Sequence, residues 1–207
     1  MLKASKTPFE FVTVDAIKGE NRKPAFLAEF PTGLVPVIND GGFKLSESAA
    51  ILTYLAETKG PASFLGASAQ ERARVNEWLH WHHANTRFST KGILHAHVLP
   101  KIYPKMAAGA DEKLKTGLKA FTAAIKHMDK ALETSKFLAS DSHITVADLL
   151  LLCEVDQLTA FGFFSYQPYP HVKRWVADCE ASLLSYADIY EPVKAVAKQL
   201  GFPLPQV

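Results

Sequence analysis

The sequence predicts a two-domain chain of α+β and all-α parts: a mixed unit over residues 1–60, then an all-helical unit over residues 69–207. Three observations carry that expectation. Short runs rich in aromatic and β-branched residues, two of them flanking a Gly-Gly turn, occur in the first part. Gly60-Pro61-Ala62-Ser63 then interrupts the chain with turn-forming residues. Every periodic segment beyond it repeats at helical spacing, and none alternates like a strand.

In order, Phe9-Glu10-Phe11-Val12-Thr13-Val14 reads as a strand, and the chain breaks at Gly19. A second strand, Val35 to Asn39, leads through Asp40-Gly41-Gly42 to a short strand, Phe43 to Leu45, so the pair reads as a hairpin. Ser46 is placed to cap a helix from Glu47 to about Thr58, with Ala50, Ile51, Tyr54 and Leu55 at helical spacing. The helix from Ala69 carries Val75, Trp78, Leu79 and His82 on one face and is expected to end or kink at Pro100. Leu114, Leu118, Phe121, Ile125, Met128 and Leu132 form one stripe that requires a partner helix.

The clearest helix start is Ile144-Thr145-Val146-Ala147-Asp148-Leu149. Thr145 and Asp148 can form a reciprocal capping box, with Ile144 stapled onto Leu149. The helix it opens, through about Phe161, is apolar almost all round and should be the buried centre of the second domain. Two helices follow: one from Tyr169 or Pro170, with Val172, Trp175, Val176 and Cys179 inward, and one from about Ala187 to Leu200.

The totals bound the function. A chain of 207 residues buries a core without disulfides or metal. With 48% hydrophobic residues, 23 basic against 21 acidic and a net charge of +2, it favours neither nucleic acid nor a membrane surface as partner. Cys153 and Cys179 are expected as small hydrophobes on apolar helix faces, in a reducing cytoplasmic setting. Five of the eight histidines fall between residues 80 and 97, and His80 with His83 has the spacing of a metal pair. No carboxylate or thiolate cluster completes that pair, so no metal is expected.

Phe30-Pro31-Thr32-Gly33-Leu34-Val35-Pro36-Val37 with Leu45-Ser46-Glu47-Ser48-Ala49-Ala50-Ile51, Ala73-Arg74-Val75-Asn76-Glu77-Trp78-Leu79 with Trp81 and His83, and the capping box at Thr145 occur in one order and spacing. Together they resemble the soluble glutathione transferases, and within them the theta class. The resemblance implies a thioredoxin-like N-terminal domain before an all-helical domain, a homodimer, and conjugation of glutathione to small electrophiles. Other readings are a non-catalytic binding module and a glutathione-dependent dehalogenase or peroxidase.

It also implies a site. An α-carboxylate suits the N-terminus of the helix that bears Ser48, and Glu47 can pair with the ammonium group of glutathione. Residues of these types also stabilise an ordinary helix start unaided. The family's proline at Pro36 is cis and turns Val35 toward the peptide-like middle of the ligand, as an added strand would. Theta relatives commonly place a histidine and a lysine near the glycine carboxylate, where this sequence has Asn21 and Leu34. Asn21 can donate one hydrogen bond and Leu34 none from its side chain, so weaker affinity is expected, with Lys18, Arg22 or Lys23 as possible compensation.

Arg87 matches an arginine directed at the sulfur or leaving group, though an exposed helical arginine needs no such role. Phe88, Phe161, Phe163 and Phe164 are candidates for an apolar acceptor pocket or for core. The family's thiol-activating serine follows its first strand, which is expected to precede Met1 by about twenty residues of strand, loop and helix. Ser5 stands at the wrong end of that helix to replace it. The resemblance therefore leaves no catalytic hydroxyl among the candidates and makes the activity of these residues alone doubtful.

Overall fold

The computed structural model describes residues 1–16 and 18–202. Residues 2–6 form a turn closed by Ser5 N–H to Met1 O and Thr7 N–H to Leu2 O, and Met1 and Ala4 pack on the main core. Residues 9–14 form no strand. Their aromatic and β-branched side chains suit a pleated surface, but strand structure also needs a neighbouring backbone to pair with. The hairpin described below is the one sheet among the described residues, and it does not include them. Phe11 and Val12 stand exposed in consequence.

A 3-10 turn, Glu20–Arg22, and helix α1, Pro24–Glu29, lead to the hairpin. Strands β1, Val37–Asp40, and β2, Phe43–Ser46, pair antiparallel from Val37↔Ser46 to Asp40↔Phe43. Gly41 and Gly42 both have positive φ (59° and 99°), as the tight turn preferred in two-residue hairpins requires. Helix α2, Ser48–Thr58, follows at once. Ser46 does not cap it, because Ser46 is still paired in β2; Glu47 occupies the N-cap position and makes no side-chain cap bond. Tyr54 donates to Asp40 Oδ2 (2.8 Å) and Lys59 pairs with the same oxygen (3.0 Å), fastening α2 to the turn. These donors hold the Asp40 carboxyl below its usual range.

After a 3-10 turn at Ala62–Leu65, helix α3 spans Ala69–Ala84, capped by Ser68 Oγ accepting from Glu71 N–H (3.1 Å). The break comes at Asn85 rather than Pro100. Asn85 adopts φ −116° and ψ −88°, its amide caps Trp81 O (2.8 Å), and α4 starts directly as Thr86–His97. Pro100 instead lies in the first turn of the short helix α5, Leu99–Ile102, where a missing N–H costs nothing. A 3-10 turn, Pro104–Met106, precedes α6, Ala110–Leu132, whose apolar stripe packs on α4 and α8.

Helix α7, Val146–Ala160, opens with the expected capping box and is buried along most of its length. Helices α2, α3, α4, α8 (Pro170–Ser182) and α9 (Tyr186–Gln199) all pack against it, so it joins the mixed part to the helical part. Cys179 is buried on α8 as expected, but Cys153 is exposed on α7. Although Cys153 reaches solvent on one side, the atoms crowding its thiol and the nearby Asp156 and Glu154 push it up to about 11, which disfavours the thiolate. No helix among the described residues is long and apolar enough to cross a membrane.

Candidate functional site

The β1–β2 ladder ends at Val37↔Ser46, so the segments Val35-Pro36 and Glu47-Ser48 leave it side by side. The Val35–Pro36 bond is cis, and Val35 is exposed. Glu47 has φ 72° and ψ 114°, a conformation that L residues rarely adopt and that costs about 1–3 kcal/mol. Its side chain is exposed. Ser48 begins α2, whose first-turn N–H groups have no intrahelical acceptor and receive no side-chain cap. The result is a set of backbone donors, a hydroxyl and a carboxylate beside an exposed backbone edge.

Asn21 supports this arrangement from beneath. It is buried and donates from Nδ2 to Gly33 O (2.7 Å), while its Oδ1 is buried without a partner among the described residues. A Cβ at Gly33 would lie 3.0 Å from Asn21 O and 2.8 Å from Arg22 Nη1, so the turn before Leu34 is held tightly. Leu34 points to solvent. The possible substitutes for a basic residue already have contacts: Lys18 with Asp15 (2.9 Å), Lys23 with Glu20 (3.6 Å), and Arg22 with Thr32 O (3.4 Å). Ser5 donates to Leu2 O and shares a hydrogen bond with Thr7 Oγ1, so its hydroxyl serves the first turn.

Arg87 extends from α4 to a buried carboxylate that sequence reasoning did not single out. Nη1 lies 3.4 Å from Glu154 Oε1 on α7; His82 Nε2 on α3 approaches the same oxygen at 3.1 Å, and Thr90 donates to Oε2. Burial opposes the Glu154 charge, but the donors His82, Thr90 and Arg87 outweigh it and hold the carboxyl below its usual range. The signal was present as one glutamate directly after the apolar run Leu149 to Cys153, within the helix expected to be apolar almost all round. The strain at Glu47 left no comparable trace in the sequence.

The remaining candidates disperse. His80 and His83 are exposed, and no group of three or more metal-ligating side chains stands together among the described residues. Phe161 and Phe163 pack on Phe202, and Phe164 packs on Phe121 and Tyr169. Phe161 is buried, and Phe163 and Phe164 are partly buried against the core. Phe88 alone of the four stays largely exposed, at 62%.

Residues 1–57 match the family model for the glutathione S-transferase N-terminal domain, and residues 90–182 match that for the C-terminal domain. Mouse glutathione S-transferase theta-1 is 33% identical over 188 residues, which cover 87% of this chain and 75% of the mouse protein. The chain belongs to the glutathione S-transferase family. Human glutathione S-transferase theta-2B is 35% identical over 87% of this chain and 74% of its own length. Human glutathione transferase theta-2, solved in complex with glutathione and an unknown ligand, superposes with a TM-score of 0.84 at 30% identity, over 99% of this chain and 86% of its own. The fold is thus that of a glutathione S-transferase: a thioredoxin-like part with a small two-stranded sheet, then a helical part. The likeness is to theta-class members.

Proposed function

We propose that this chain binds glutathione at the junction of the hairpin and α2 and conjugates it, through its sulfur, to small electrophiles. Glutathione's α-carboxylate meets the N-terminus of α2 and the Ser48 hydroxyl; Glu47 pairs with its ammonium group; the Val35 backbone pairs with its peptide-like middle. The thiol of glutathione gives up its proton to solvent; the thiolate sulfur then forms a bond to the electrophilic centre, and a leaving group departs with its electron pair, or in an addition the electrons shift onto the acceptor. Arg87 stabilises the anionic charge that develops. Asn21 acts through the Gly33 turn, and Leu34 offers no charge to the glycine carboxylate, so affinity falls below that of a relative with basic residues at both positions. The working unit is a cytosolic homodimer.

The observation that carries this reading is Glu47. A non-glycine residue held at φ 72° at an uncapped helix start is a poor way to build a helix. It is intelligible if the conformation keeps the first-turn N–H groups open and the carboxylate beside them. The family's theta members, one of them solved with glutathione, support the same choice of ligand.

Calorimetric titration with glutathione, paired with a conjugation assay on a generic electrophile, tests the proposal. Saturable binding is expected, and Ser48→Ala should weaken it about tenfold or more, the scale of one hydrogen bond to a charged group. No saturable binding overturns the reading. Binding without turnover leaves a non-catalytic binding module, and turnover confined to halogenated or peroxide substrates makes the chain a dehalogenase or peroxidase.

A further inference from the structure

Glu154 is an unexpected residue to find at the meeting point of three helices. Its side chain is only 7% exposed, and it draws one partner from α3 (His82) and two from α4 (Arg87 and Thr90). An ionised carboxylate only accepts hydrogen bonds, so His82 carries its proton on Nε2, facing Glu154. His82 Nδ1 is buried without a partner among the described residues. Glu154 faces the permanently charged guanidinium of Arg87 in this cluster. Burying such a charge is costly, and an apolar side chain of similar volume would pack these helices at least as well.

Arg87 differs from its partner in one respect. Its side chain is 47% exposed. One nitrogen, Nη1, is held by Glu154, and no other partner of the guanidinium is found among the described residues. The long, flexible side chain is thus fixed from its buried side and presents its remaining donors outward.

We infer that Glu154 is a positioning residue for Arg87: an anionic anchor, itself fixed by His82 and Thr90, that holds the guanidinium in one orientation for the anion formed in the transfer step. This rests on the role given to Arg87 above. Preorganised donors stabilise a developing charge more than mobile ones, because no reorientation is needed during the reaction.

The test uses the full chain and the conjugation assay. In Glu154→Gln the amide oxygen can still meet His82 and the amide nitrogen can donate to Thr90, so the fold is kept while the charge that holds Arg87 is removed. The expected result is a fall in kcat of roughly tenfold with little change in KM for glutathione, the pattern of an interaction made only in the transition state. Arg87→Ala should show at least the same loss, and the double variant should lose no more than Arg87→Ala alone. Glu154→Gln with wild-type kcat, or a loss that adds in full to that of Arg87→Ala, overturns the inference. Unchanged kcat in Arg87→Ala removes the arginine from the proposed mechanism and the inference with it, and a wild-type chain without turnover overturns both. If Glu154→Gln does not fold, as thermal denaturation would reveal, Thr90→Val decides: it loosens the anchor and keeps the charge. A fall in kcat of about two- to threefold supports the inference, and an unchanged value overturns it.

Discussion

Asp148 and Asp156 lie on the same helix and meet burial with unequal support. Asp148 accepts from Leu138 N–H, Trp175 Nε1–H, Thr145 N–H and Thr145 Oγ1–H, all within 2.8–2.9 Å. The Thr145 pair was legible because a capping box is local, three residues apart; Leu138 and Trp175 arrive from other elements and left no pattern to read. Asp156 accepts from Tyr166 (2.8 Å), and burial, with Glu180 nearby, pushes its carboxyl up to about 7. A carboxyl whose folded pKa exceeds the unfolded value of about 3.9 holds its proton more tightly in the native state. Its stabilisation is complete below about pH 4 and is lost as pH rises through about 7. Asp148 is shifted in the same direction, so it adds to the trend without confusing the sign. Urea denaturation across this range should show Asp156→Asn with a flatter decline than wild type; an identical slope would show that Asp156 does not titrate there.

At the scale of elements, the α4–α6 contact shows what a stripe of apolar residues predicts and what it omits. Phe121, Ile125, Met128 and Leu132 are buried as their spacing required. The closeness of the two helices depends instead on Gly117, which the periodicity ignored. A Cβ there would lie 2.8 Å from Ile93 Cγ1, 3.2 Å from Ile93 N and 3.3 Å from Ser89 O, and backbone atoms yield little. At Gly92, just across the contact, a Cβ would meet only Gly117 Cα at 3.9 Å. Overpacking costs about 1–3 kcal/mol, against a helix-propensity gain of up to about 1 kcal/mol for alanine over glycine. Gly117→Ala should therefore destabilise by about 1–2 kcal/mol, while Gly92→Ala should be neutral or stabilising by up to about 1 kcal/mol. Equal effects in denaturant titrations would refute the close approach. The break at Asn85 was illegible for a related reason: it needs neither proline nor glycine, only an asparagine amide that satisfies the preceding turn.

For the whole molecule, the hairpin, α2, α6, α7, α8 and α9 were readable from periodicity and turn chemistry, α3 and α4 were read as one helix, and the candidate residues Val35, Pro36, Glu47 and Ser48 came from motif order. The segment at residues 9–14 was misread because a strand is a property of two chains of backbone, and composition describes only one of them. That segment now sets a property of the molecule. Phe9, Phe11 and Val12 are 46%, 81% and 68% exposed, in a short run of high β propensity carrying one charge, Glu10. Such a run invites pairing with another molecule. Long-range repulsion opposes this weakly, since the net charge is only +2 near neutrality and vanishes near pH 8.4. Association should therefore be greatest near pH 8.4 and should fall in Phe11→Ser, which leaves the net charge unchanged and removes the most exposed ring of the run. Light scattering against concentration at that pH is the measurement. Scattering equal to wild type would place the cohesive surface elsewhere, with exposed side chains such as Leu184 and Phe88 next to examine.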